Sequence, residues 1–189
     1  MKPLVLQGCG TALVTPFTAD GAVDYEAYAR MVDRQVASGV DFLVPLATTG
    51  ETPTLSAGEK TAIYQVVKEH AQGLPLMPGV GVNSLPDTLN NIRLLEPLGA
   101  DALLVVVPYY NKPTQQGQYE YFKAVAAETS LPVINSSMTI LLPASPNFLS
   151  SISSPTPAFA SSSVLQIRTP FPKARPVALS TIGILAVSR

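Results

Sequence analysis

The sequence predicts an α/β protein of the (β/α)8 barrel class, and three observations predict it. Up to Ile134, a strand-like apolar run followed by an amphipathic stretch recurs about every 30 residues, the alternation that marks βαβ units. The run Ala102 to Val107 is almost wholly apolar and β-branched at its end, as a parallel strand buried on both faces requires. Ser38-Gly39-Val40-Asp41 and Leu98-Gly99-Ala100-Asp101 each set Gly, an apolar residue and Asp ahead of an apolar run. That weak internal repeat favours a barrel of near-equivalent units over a doubly wound sheet. The pattern covers about four and a half βα units, an incomplete barrel, and then gives way to a Ser/Pro-rich irregular tail.

The first run, Thr11 to Thr15, precedes Asp24, the N-cap of a helix whose apolar positions Tyr25, Tyr28, Met31, Val32 and Val36 recur at helical spacing until Gly39 stops it. The second run, Phe42 to Leu46, leads through Ala47-Thr48-Thr49-Gly50-Glu51 to Ser56-Ala57-Gly58-Glu59. There serine and glutamate form a capping box, each satisfying an amide of the helix start. Ile63, Val66 and Val67 supply that helix's buried face. The third run spans Leu76 to Val82, and Ser84-Leu85-Pro86-Asp87 starts a helix continued by Ile92, Leu94 and Leu95. After the fourth run, a loop and a helix over Gln118 to Glu128 lead to a fifth strand opening at Leu131 to Ile134.

Residues 1–134 therefore read as a partial barrel domain and residues 135–189 as an aberrant low-complexity tail. All thirteen Asp and Glu residues lie before Asn135, the last being Glu128. The 55 residues from Asn135 to Arg189 hold 12 serines, 7 prolines and a charge of +4 from Arg168, Lys173, Arg175 and Arg189. Such composition argues against a packed α/β unit. It reads either as a basic linker or docking tail, or as the product of a reading-frame slip in a truncated chain.

Composition excludes other classes. With 13% charged residues and a net charge of -1, the chain has no basic stripe for nucleic acid and no polybasic membrane patch. Cys9 is alone, which rules out an intrachain disulfide and a cysteine-rich metal site and fits a reducing compartment. The apolar stretch before Gly8 is too short for a signal peptide. The run Val177 to Val187 is far short of the roughly 20 residues of a membrane span, so a cytoplasmic location is expected. No His/Cys/carboxylate cluster has metal-site spacing. Gly79-Val80-Gly81-Val82-Asn83 lacks the third glycine of a dinucleotide fingerprint.

In a parallel α/β sheet, residues directly after each strand have first claim on chemistry. After the second run, Thr48 and Thr49 present hydroxyls and amides beside Gly50, a turn able to face an anion such as a carboxylate; the alternative is a Thr-rich turn that merely caps the next helix. After the fourth, Tyr109 and Tyr110 put two phenols at a strand end, suited to proton relay or to an aromatic interface. Asn111, Lys112 and Pro113 complete a polar loop in which Lys112 reads as a solvated lysine. His70, near the end of the second helix, suits the helix dipole.

Gly10-Thr11-Ala12-Leu13-Val14-Thr15-Pro16-Phe17, Ala47-Thr48-Thr49-Gly50-Glu51, Gly79-Val80-Gly81 and Pro108-Tyr109-Tyr110-Asn111-Lys112-Pro113 together resemble the 4-hydroxy-tetrahydrodipicolinate synthase (dihydrodipicolinate synthase) family. The resemblance runs from about Gly8 to Ile134, and the Pro-Tyr-Tyr-Asn loop favours this family over pyruvate-dependent aldolases of the N-acetylneuraminate lyase type. It implies a TIM barrel, usually a homotetramer, that condenses pyruvate with L-aspartate 4-semialdehyde through a lysine Schiff base in lysine and diaminopimelate biosynthesis. No separate cofactor or metal is implied.

By the same resemblance, Thr48 is the proton-relay threonine, Thr49 the contact for the pyruvate carboxylate, and Tyr110 the relay tyrosine contributed across a dimer interface. Asn83 and Tyr109 match a lysine-feedback pocket, although Ala57 and Lys60 stand where feedback-sensitive members carry histidines. The resemblance stops before the nucleophile. Asn135-Ser136-Ser137-Met138 follows Ile134, and the only later lysine, Lys173, lies between prolines in Phe171-Pro172-Lys173-Ala174-Arg175-Pro176. No Schiff-base lysine is assigned. The chain is expected to be inactive by itself; the alternatives are a non-catalytic fragment docking on intact synthase subunits, or a related pyruvate-dependent aldolase of the N-acetylneuraminate lyase type.

Overall fold

The computed structural model describes residues 6–136, 164–166 and 184–187. Two three-stranded sheets carry it. In the first, β1 (Gly8–Ala12) lies between β2 (Phe42–Val44), parallel to it, and β6 (Ile184–Val187), antiparallel. In the second, β4 (Val133–Ser136) pairs in parallel with β3 (Leu103–Val106) and β5 (Val164–Gln166). The strand β4 runs on through Asn135 and Ser136, beyond the expected break at Ile134. Apart from these two residues and the strands β5 and β6, the irregular tail read at 135–189 lies outside the described residues.

The third apolar run joins the two sheets without being a regular strand, which corrects the sequence reading. It makes isolated parallel bridges, Leu43 with Leu76 on one side and Gly79 with Leu104 on the other. Pro75 and Pro78 have no N–H to donate and take part through their carbonyls, Pro75 accepting from Leu43 N and Pro78 from Leu104 N, while Met77 N, Gly79 N and Val80 N donate to the carbonyls of Leu43, Pro45 and Leu104. Its two glycines allow the close fit. A Cβ on Gly79 would lie 2.5 Å from the Leu46 carbonyl oxygen, and one on Gly81 would lie 2.6 Å from Val106 N. The Gly-Val-Gly sequence is thus a packing device between β2 and β3.

The weak internal repeat has a structural meaning. Gly39 and Gly99 both adopt positive φ, 77° and 98°, ending a helix and turning the chain toward the next strand. The aspartate that follows then grips the preceding strand twice. Asp41 donates its N–H to the Cys9 carbonyl and its carboxylate accepts Cys9 N at 2.6 Å. Asp101 does the same with Leu76, its carboxylate accepting Leu76 N at 2.8 Å. Each aspartate fixes register where a parallel pair begins.

Four helices cover one face: α1 (Tyr25–Ala37), α2 (Ala57–His70), α3 (Leu85–Leu95) and α4 (Gln115–Glu128). The starts of the first three follow the sequence. Asp24 accepts from Ala27 N, Ser56 and Glu59 complete a capping box, and Ser84 accepts from Asp87 N. The helix α4 begins three residues earlier than expected because Thr114 caps it, accepting from Gly117 N. On α1, Tyr28 and Val32 are buried, whereas Tyr25 is exposed.

Alternation along the strands sorts the core into two clusters. Leu43, Leu103, Val105 and Val133 pack against Tyr28, Ile63, Tyr64, Ile92 and Val125 of the helices. Phe42, Val44, Met77, Leu104 and Ile134 form the other face. Full burial of each such side chain contributes about 1.5–3 kcal/mol. Among the described residues, no helix is long and apolar enough to cross a membrane.

Candidate active site

The chain leaves β2 through Pro45 into two consecutive 3-10 turns, Thr48–Gly50 and Thr52–Thr54. Left-handed, non-glycine residues bracket the first: Leu46 at φ 57° and Glu51 at φ 55°. Each costs about 1–2 kcal/mol in that conformation and persists only where the surroundings enforce it. Hydrogen bonds supply the enforcement. The Ala47 carbonyl accepts from Gly50 N at 2.9 Å and from Thr52 Oγ1 at 3.0 Å, and the Gly50 carbonyl accepts from buried Thr15 Oγ1 at 2.7 Å.

Between these anchors Thr48 is exposed and Thr49 half-buried, and among the described residues neither hydroxyl makes a hydrogen bond. Their amides lie at the start of a helical turn, where N–H groups lack intrahelical acceptors. Two hydroxyls and two amides on a fixed backbone can receive a small carboxylate. The clamping residues Thr15 and Thr52 were not singled out by the sequence, since their partners are fixed only by the fold.

After β3, Tyr110 sits at φ 67° with 91% of its surface exposed, and Lys112 at φ 46°. Asn111 anchors this loop, its Nδ2 donating to the Asn83 carbonyl at 2.8 Å. Behind Asn83, Tyr121 donates to the Val82 carbonyl at 3.0 Å and shares a 2.8 Å hydrogen bond with Thr88, whose hydroxyl accepts from Val82 N. No hydrogen bond among the described residues joins Tyr110 to Thr48 or Thr49.

Asn83 and Tyr109 are brought together. Both line a cavity of about 320 Å³, with Pro53, Lys60, Val82, Asp87, Asn90 and Asn91. Lys60 Nζ donates to Asn91 Oδ1 at 3.3 Å. Burial pushes the Lys60 ammonium below its ordinary range, and neighbouring Asp87 opposes the shift. His70 lies in the last turn of α2, as the sequence suggests, and also pairs across to Asp33 of α1 at 2.8 Å. Lys173 lies outside the described residues.

Parallel strands crossed by helices, with a hydroxyl-bearing turn at a strand's C-terminal end, define an enzyme-type site of the (β/α)8 barrels. The chain belongs to the Dihydrodipicolinate synthetase family, whose model matches residues 5–138. Over 135 residues it is 47% identical to 4-hydroxy-tetrahydrodipicolinate synthase of Azobacteroides pseudotrichonymphae, covering 71% of this chain and 46% of that one. The chloride-inhibited dihydrodipicolinate synthase from Acinetobacter baumannii, complexed with pyruvate, superposes with a TM-score of 0.67 at 39% identity, covering 69% of this chain and 45% of the other. CdNal from Clostridium difficile, complexed with mannosamine, gives a TM-score of 0.73 at 22% identity over 79% of this chain and 53% of its own, a likeness of fold alone. The chain spans just under half the length of the curated relatives it matches.

Proposed function

We propose that this chain carries the pyruvate-handling part of a dihydrodipicolinate synthase site and lacks the amine that completes it. The family reaction is a lyase-type condensation of pyruvate with L-aspartate 4-semialdehyde through a lysine Schiff base, in lysine and diaminopimelate biosynthesis. The strained, doubly anchored Thr48–Gly50 turn carries the reading. Thr49 and the turn amides receive the carboxylate of pyruvate, Thr48 offers its hydroxyl for proton relay, and Tyr110, reaching outward from its loop, serves as the second relay hydroxyl for a neighbouring subunit. Asn83 and Tyr109 belong to an effector cavity in which Lys60 already occupies cationic space.

The missing amine is a matter of chemistry. A Schiff base needs an unprotonated lysine beside the carbonyl carbon. Lys60 bonds to Asn91, Lys68 to the Leu98 carbonyl, and Lys123 lies 3.8 Å from Glu120. Lys112 occupies an exposed loop. Among the described residues no lysine is placed for that attack, and on this reading pyruvate is bound and not condensed. Borohydride reduction of the chain with pyruvate, followed by intact-mass measurement, is expected to show no adduct and the coupled condensation assay no product, while saturation-transfer NMR shows pyruvate contact that Thr49→Val removes. A reduced lysine adduct overturns the missing amine; absence of contact overturns the pyruvate site.

A further inference from the structure

We infer that Thr15 is a positioning residue for the Thr48–Gly50 turn, holding it in the conformation that accepts a small 2-oxo carboxylate; this rests on the pyruvate-handling reading and extends it to a residue outside the turn itself. Thr15 is 6% exposed, and its Oγ1 donates to the Gly50 carbonyl at 2.7 Å across 35 residues of sequence. The turn presses directly on the end of β1, for a Cβ on Gly50 would lie 3.0 Å from the Leu13 carbonyl oxygen and 3.3 Å from Thr15 Oγ1.

The two halves of the turn are secured differently. Its first half is held by Thr52 on the Ala47 carbonyl and by Gly79, whose absent side chain lets the third run lie against Leu46 and Ala47. On its second half, Thr15 is the side-chain donor to the Gly50 carbonyl, next to left-handed Glu51. Remove that hydroxyl and the buried carbonyl has lost its donor. The Gly50–Glu51 peptide then rotates toward another donor, Glu51 relaxes from its strained φ, and the amides and hydroxyls of Thr48 and Thr49 turn away from the position that receives a carboxylate.

The test is an NMR titration of the full chain with pyruvate. Thr15→Val keeps the shape and removes the hydroxyl; it is expected to weaken pyruvate binding roughly tenfold. Thr15→Ser restores the donor and with it the affinity. Thr129→Val removes another buried hydroxyl, the one that accepts from Leu131 N ahead of β4, and is expected to lower the thermal midpoint without changing affinity. Gly79→Ala, which drives a methyl into Leu46 and Ala47, tests the turn from its other side and is expected to weaken binding as well. Unchanged affinity in Thr15→Val, or equal weakening in Thr129→Val, overturns the positioning role alone. A wild-type chain that does not bind pyruvate removes the anion site itself and the role with it.

Discussion

Tyr28 and Tyr64 are fully buried, and among the described residues their hydroxyls have no hydrogen-bond partner. An unsatisfied buried hydroxyl costs about 1–3 kcal/mol. Phenylalanine at either position keeps the ring in the core and removes that cost, so Tyr28→Phe and Tyr64→Phe are expected to raise the urea midpoint; a lowered midpoint means the hydroxyls have partners after all. Burial pushes both phenols well above their ordinary value of 10, Asp101 adding to the shift at Tyr64. A raised acid contributes stability that is fully present below the unfolded-state pKa and lost as pH rises through the folded one. Alkaline unfolding above pH 10 is therefore expected, and should move to higher pH in the double phenylalanine variant. The sequence placed Tyr28 on the buried stripe of its helix. It did not mark Tyr64, which lies beside Ile63 and is buried with it in the main core cluster.

Among the elements, α2 shows most directly what is readable locally. Its start is a capping box with Ser56 Oγ accepting from Glu59 N, and the Glu59 carboxylate accepting from Ser56 N at 2.8 Å. The Ser56 hydroxyl, which donates to the Glu59 carboxylate at 2.6 Å, and after it the Ser56 N–H hold the Glu59 carboxyl below its ordinary value of 4.5. A depressed acid stabilises above the unfolded-state pKa and loses that contribution as pH falls through the folded value. Ser56→Ala is expected to lower the thermal midpoint at pH 7 and to flatten its decline below pH 4.5, as circular dichroism melts would show; an unaltered pH profile rejects the box as the cause. The box was legible because its partners are three residues apart and helix geometry alone brings them together. The third apolar run was misread for the opposite reason. Its periodicity is that of a strand, but Pro75 and Pro78 limit its ladder to two bridges, and only neighbours on both sides make that sufficient.

At the scale of the whole molecule, the described strands form an arc: β6, β1 and β2, then the bridging third run, then β3, β4 and β5. Tyr110 projects from the loop after β3, 91% exposed at φ 67° and held there by the bond from Asn111 to Asn83. An aromatic residue kept in a strained, outward conformation favours a second reading, in which the chain docks on an intact synthase subunit through Tyr109 and Tyr110. Co-expression with a tagged full-length relative is expected to recover the wild-type chain and to lose it with Tyr110→Ala; equal recovery of both excludes that surface. The sequence by itself determined the alternation of strands and helices, the caps at Asp24, Ser56 and Ser84, and the two loops carrying Thr48, Thr49, Tyr109 and Tyr110, because these depend on residues close along the chain. Only the tertiary structure decided that Thr15 anchors Gly50, that Asn111 anchors Asn83, and that Asp41 and Asp101 pin Cys9 and Leu76. Those partners lie 25 to 35 residues apart. No local periodicity encodes them, since they meet only once strand order and register have set neighbouring strands side by side.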